Sequence, residues 1–89
     1  MLKDLHFGIV KSGLAEKRRF RRPHWDAGTF IFLVPSSVFK VNREPLVSIL
    51  GADTEISYEQ HVDMYLGEGR VSVWDATRSD YMAEDWEQI

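Results

Sequence analysis

The sequence predicts an α+β fold: a small antiparallel sheet with an N-terminal helix packed on it and a short C-terminal helix. Three stretches carry that expectation. Phe7, Val10 and Leu14 recur at helical spacing and give one apolar stripe. Thr29 to Val34 is a near-continuous apolar, β-branched and aromatic run, the signature of a strand buried on both faces. His61 to Leu66 and Arg70 to Trp74 alternate on either side of Gly67-Glu68-Gly69, which supplies the positive φ of a tight hairpin.

In chain order, Asp4 stands where its carboxylate can cap a helix of about Leu5 to Ser12, and Gly13 where a left-handed C-terminal cap belongs. From Arg18 to Arg22 the period changes to two, with Phe20 inward and Arg18 and Arg22 flanking it. Pro23 removes an amide and ends that strand, His24 to Gly28 turns the chain, and Pro35 stops the apolar run. Ser36 to Leu50 carries little periodicity. Phe39 and Val41 suit a short edge strand, Asn42-Arg43-Glu44-Pro45 a turn, and Leu46 to Leu50 one helical turn closed by Gly51. Ile56 to Tyr58 starts another short strand. Alternation then sets His61, Asp63 and Tyr65 on one face, Val62, Met64 and Leu66 on the other, and Val71 and Val73 opposite to Ser72 and Trp74. Asp75 or Thr77 caps a helix reaching about Met82, and Asp85 to Ile89 forms the last strand. No repeat or linker interrupts the order, so residues 1–89 read as a single ligand-binding domain.

Composition narrows the function. With 44% hydrophobic and 12% aromatic residues the chain can build a core. A domain of this size buries only roughly 60–65% of its unfolded surface, which leaves stability marginal. There is no cysteine to staple it, so a reducing cytoplasm is compatible and self-association is the expected support. No apolar run approaches the roughly 20 residues that cross a bilayer, and Lys3, Asp4 and His6 interrupt any signal-like core, so no membrane partner is expected. The net charge of −3 argues against a nucleic-acid polymer. Charge is nevertheless segregated: Lys17, Arg18, Arg19, Arg21 and Arg22 fall within six residues, while acids dominate Asp53 to Asp85. A local basic patch fits a small anion, although Lys17, Arg19 and Arg21 read rather as a solvated strand face.

The densest chemistry is Trp74 to Trp86, which holds two tryptophans, a tyrosine and four acids in thirteen residues. Flat rings and polar tips suit a site that stacks an aromatic ring and bonds its edges, but large aromatics are also the usual core anchors. Trp25 lies in a turn, with less packing reason than a tryptophan in a strand. Arg22 and Arg43 offer forks for phosphate or carboxylate, against surface or ion-pair roles. Asn42, Asp75, Thr77, Ser79 and Asp80 are candidate readers of a base edge or ribose, because a buried polar group left unpaired is costly. His61 and Asp63, two residues apart, suit a ligand contact or cross-strand bond. A zinc site needs a third ligand and a hydrolase a nucleophile, and neither stands at a telling spacing, so metal, cofactor and catalysis are not expected. The residues alone outline a nucleotide-binding site; a nucleotide-processing enzyme and a virion or protein-interaction module stay open.

Several short motifs occur in one order along nearly the whole chain: Arg22-x-x-Trp25, Phe32-Leu33-Val34-Pro35-Ser36, Phe39-Lys40-Val41-Asn42-Arg43-x-Pro45-Leu46, His61-x-Asp63-Met64, Trp74, and Ser79-Asp80-Tyr81-Met82-Ala83-Glu84-Asp85-Trp86. This set resembles a small phage-encoded domain family that includes the second type of Thoeris anti-defence protein. The basic Arg18 to Arg22 segment and the charged Asp75 to Arg78 depart from that pattern. The resemblance implies a homotetramer in the infected host's cytoplasm, with pockets formed where subunits meet. It also implies a sponge that binds a cyclic ADP-ribose-type signal, glycocyclic ADP-ribose, made by a bacterial TIR-domain enzyme, and does not cleave it. Cyclic dinucleotides are a further ligand the resemblance suggests.

Overall fold

A computed structural model of the protein describes residues 2–89. The elements are β1 (Leu2–Leu5), α1 (Phe7–Ala15), β2 (Phe20–Arg21), β3 (Phe30–Val34), β4 (Ser37–Lys40), α2 (Leu46–Leu50), β5 (Glu55–Tyr58), β6 (His61–Gly67), β7 (Arg70–Val73), α3 (Arg78–Met82) and β8 (Trp86–Gln88). Six strands form one antiparallel sheet in the order β1-β8-β2-β3-β6-β7, and β4 and β5 pair separately. The expected α+β fold, with an N-terminal helix, an antiparallel sheet and a short C-terminal helix, is what the chain adopts.

Register assigns the two faces. Phe20 pairs with Ile31 and Ile31 with Met64, so these side chains share the covered face. Phe30, Phe32 and Val34 oppose Tyr65, Asp63 and His61 and share the other. Helix α1 lays Phe7, Val10 and Leu14 against Phe20, Ile31 and Trp86, and the last three are fully buried. The hairpin turn has positive φ at Gly67, Glu68 and Gly69.

Two details differ from the sequence expectation. Leu2–Leu5 is a strand paired with β8, not the first turn of the helix, and Asp4 takes φ 55° beside a shift in register. The cap is His6, whose Nδ1 accepts the Gly8 amide at 3.1 Å. Gly13 does not end the helix but lies buried within it, and the left-handed residue after the helix is Lys17. The reason is the Phe20 ring, which lies so close that a Cβ on Gly13 would stand 2.3 Å from Phe20 Cζ.

Trp86 organises the covered face. Its ring meets Phe7, Trp25 and Trp74 at centroid distances of 5.8, 5.4 and 6.0 Å, the two tryptophans edge-on. Its Nε1–H donates to the Asp80 carbonyl at 3.1 Å. The Asp80 carboxylate accepts Arg22 Nη1 at 2.9 Å and, through its other oxygen, the Thr77 amide and hydroxyl, closing a capping box on α3. Arg22 Nε donates to Asp85 at 2.9 Å. Burial works against charge on Asp80, but the Thr77 and Arg22 donors outweigh it and hold its carboxyl below the ordinary value. Burial likewise opposes charge on Arg22, and Asp85 and Asp80 overcome it and hold the guanidinium above its usual range.

The segment from Pro35 to Gln60 forms an arm. Strands β4 and β5 and helix α2 bury one of its side chains, Val41, whose amide bonds the Thr54 carbonyl at 2.8 Å. The molecule measures 47 × 26 × 23 Å with a radius of gyration of 15.9 Å. A compact chain of this length would have about 12 Å.

Replacing Gly13 by alanine gains about 1 kcal/mol of helix propensity but forces a methyl into Phe20. A net loss of about 1–2 kcal/mol in chemical denaturation is expected. Because the native Asp80 carboxyl sits below the ordinary aspartate value of 3.8, its contribution is complete above that value and is lost as pH falls beneath it. Unfolding free energy is therefore expected to drop below about pH 4, and Asp80→Asn should flatten that part of the profile. Arg22→Met leaves Asp80 buried without its cation, and a destabilisation of about 3 kcal/mol is expected.

Candidate functional site

Where β3 ends and the arm begins, a cleft of about 720 Å³ opens. Val34, Pro35 and His61 line the sheet side. Phe39 and Tyr58 on the paired arm strands, and the loop from Asn42 to Leu46, line the other. Its volume lies within the range of about 300–1,000 Å³ that small-molecule sites occupy.

Each wall follows from local sequence. Pro35 ends β3, so the chain turns out of the sheet into the arm. Antiparallel pairing sets Ser37 opposite Tyr58 and Phe39 opposite Ile56, which brings the Phe39 and Tyr58 rings into a stack. Their centroids are 5.2 Å apart and the planes differ by 12°. Both rings are exposed, and a planar ligand ring can stack on such a plate. Asn42 and Arg43 are exposed in the loop that follows β4, and Arg43 forms no ion pair among the described residues.

His61 stands on the border of this cleft and a smaller groove of about 320 Å³ that Trp74, Asp75 and Tyr81 line. His61 Nδ1 lies 3.2 Å from the Glu59 carbonyl. Its Nε2 lies 3.3 Å from Asp63 Oδ1, a salt bridge only when the imidazole is protonated, and no hydrogen bond joins the two. Asp63 Oδ1 is buried without a hydrogen-bond donor among the described residues.

The ten residues read from the sequence as ligand contacts thus fall into three groups. Asn42, Arg43 and His61 meet at the large cleft, and Trp74 and Asp75 meet His61 at the groove. Arg22, Trp25, Thr77 and Asp80 belong to the network around Trp86, with Trp25 packed edge-on against that indole. Ser79 is exposed on the first turn of α3. The sequence alone does not mark Phe39 and Tyr58 as contacts. Phe39 lies in one of the ordered short motifs, but only the pairing of β4 with β5, which sets Phe39 opposite Ile56 seventeen residues on, makes the two rings a surface.

Among the described residues no helix is long and apolar enough to cross a membrane, and no three or more His, Asp or Glu side chains gather as a metal site. No curated protein matches the chain. A family model for the Tad2-like domain, described as Thoeris anti-defense 2-like, matches residues 5–89. That match spans the sheet, the arm and both walls of the cleft, and the chain belongs to the Tad2-like family.

Proposed function

We propose that this protein is a phage anti-defence sponge against Thoeris immunity. It captures a TIR-derived cyclic ADP-ribose-type signal, glycocyclic ADP-ribose, in the host cytoplasm and keeps it from its effector. The observation that carries this reading is the arm cleft. The Phe39–Tyr58 stack offers a plate for the adenine, Arg43 a fork for phosphate, and Asn42 and His61 polar tips for a base edge or ribose. Trp74 and Asp75 beyond His61 extend the same surface. Family membership supports the anti-defence role. The protein acts as a homo-oligomer, a tetramer by resemblance, in which a neighbouring copy closes the open side of the cleft. Cyclic dinucleotides present the same purine and phosphate groups and are a second ligand for the same chemistry.

Sequestration requires high affinity, slow release and stoichiometric protein, not turnover. The signal is incubated with the protein, the protein is heat-denatured, and the supernatant is applied to the effector. Intact, active signal is expected; recovery of an inactive product would reject sequestration. The feature that favours chemistry is the 3.3 Å His61–Asp63 contact. An enzyme built on it would clear a large excess of ligand from substoichiometric protein, whereas a sponge stops at one ligand per pocket.

Tyr58→Ala is expected to weaken capture by roughly ten- to a hundredfold, the value of about 1–3 kcal/mol for a lost stacking surface. Arg43→Ala should weaken it about tenfold or more, and Lys3→Ala on β1 should leave it unchanged. Calorimetric titration reads all three, and equal losses would place the ligand elsewhere.

A further inference from the structure

We propose that the arm of one copy seats on the uncovered face of the six-stranded sheet of a second copy, which returns its own arm in exchange. This builds on the self-association put forward above and assigns the surfaces that meet.

Two apolar surfaces of the chain lack a cover. Helix α2 is the first: it buries none of its residues, with Ile49 69% and Leu50 46% exposed, and the side-chain bond at its N-terminus is the exposed one from the Ser48 amide to the Glu44 carboxylate. A five-residue helix of this kind gains too few hydrogen bonds to persist in water and depends on packing. The second is the sheet face turned away from α1. There Phe30, Phe32 and Tyr65 line an open cleft of about 520 Å³, continued by Val71 and Val73 on β7, which are 53% and 68% exposed. An apolar patch of this kind marks an interaction surface.

Charge pairs the two. Lys17 and Arg19 rim the cleft, the Arg19 guanidinium lies 5.0 Å from the Phe30 ring centre, and residues 17–22 carry five bases and no acid. The arm, residues 36–60, carries Glu44, Asp53, Glu55 and Glu59 against Lys40 and Arg43. Connectivity sets the symmetry. Pro35 lines the sheet-face cleft and also begins the arm, so each arm leaves its own copy at the edge of the surface that receives the other. A twofold axis near Pro35 lets both arms cross together, giving a closed interface in place of an open chain. A small core without cysteine gains the support it lacks.

The absence of native cysteine makes cross-linking unambiguous. Ile49→Cys protein mixed with Arg19→Cys protein under mild oxidation should yield a disulfide-linked heterodimer. In light scattering after gel filtration the wild type should run above the 10.3 kDa monomer. Ile49→Asp should raise the self-dissociation constant by roughly tenfold or more, as should Phe32→Asp, while Met82→Asp on α3 should not. Circular dichroism separates lost assembly from lost folding, and the exposed Ile49 keeps the test valid if Phe32→Asp unfolds. Ile49→Cys linking to itself and not to Arg19→Cys, an unchanged mass for Ile49→Asp, or a monomeric wild type would each overturn the exchange. Nucleotide capture is titrated on the same proteins. Capture by protein that neither cross-links from Ile49→Cys to Arg19→Cys nor loses mass with Ile49→Asp would sink the exchange and leave sequestration standing, and cross-linked assembly without capture would do the opposite.

Discussion

The buried indole of Trp86 sets the terms for the rest of the fold. A Trp N–H without an acceptor in the core would cost about 1–3 kcal/mol, and here the Asp80 carbonyl supplies it. That fixes α3 over the strand that follows it. Asp80 in turn needs a cation, and Arg22 reaches it from β2's end, 58 residues away in the chain. Because β8 lies between β1 and β2, the last strand is an interior one. The sheet is incomplete until β8 arrives, and the Arg22–Asp80–Asp85 contacts hold it there.

This arrangement explains why the most aromatic and polar stretch of the sequence is mainly structural. In Trp74 to Trp86 the capping box, the ion pair and the indole contacts consume Thr77, Asp80, Asp85 and Trp86. Residue type alone does not separate a polar tip that holds a helix from one that holds a ligand. The difference lies in which partner is near, and Arg22 shows it: its fork faces two carboxylates of its own chain.

Periodicity made much of the fold legible. The helical stripe, the apolar run and the hairpin all formed where spacing put them, since each depends on neighbours within a few residues. The run expected to be buried on both faces is, however, covered by α1 on one face and open on the other. The first helix was shifted because long-range contacts overrode local cues. Strand β8 takes Leu2–Leu5 as a partner, and the Phe20 ring occupies the space over Gly13. At the cleft, Asn42, Arg43 and His61 were legible as polar residues in a turn and a strand start. The Phe39–Tyr58 plate was not, because its geometry exists only once β4 and β5 are in register.

Burial divides the molecule into a well-packed sheet-and-helix body and an arm whose one buried side chain is Val41. Regions with few buried apolar contacts open at low free energy cost, so the arm is where binding energy most readily changes the ensemble. The proposed ligand cleft has the sheet end for one wall and the arm for the other. A ligand in it therefore favours one arm position, and so does a second copy that receives the arm. If both bind the same position, each strengthens the other by the same factor, because coupling between two binding events is reciprocal. Slow release would then follow from the linkage: freeing the ligand requires moving an arm that a neighbour also holds.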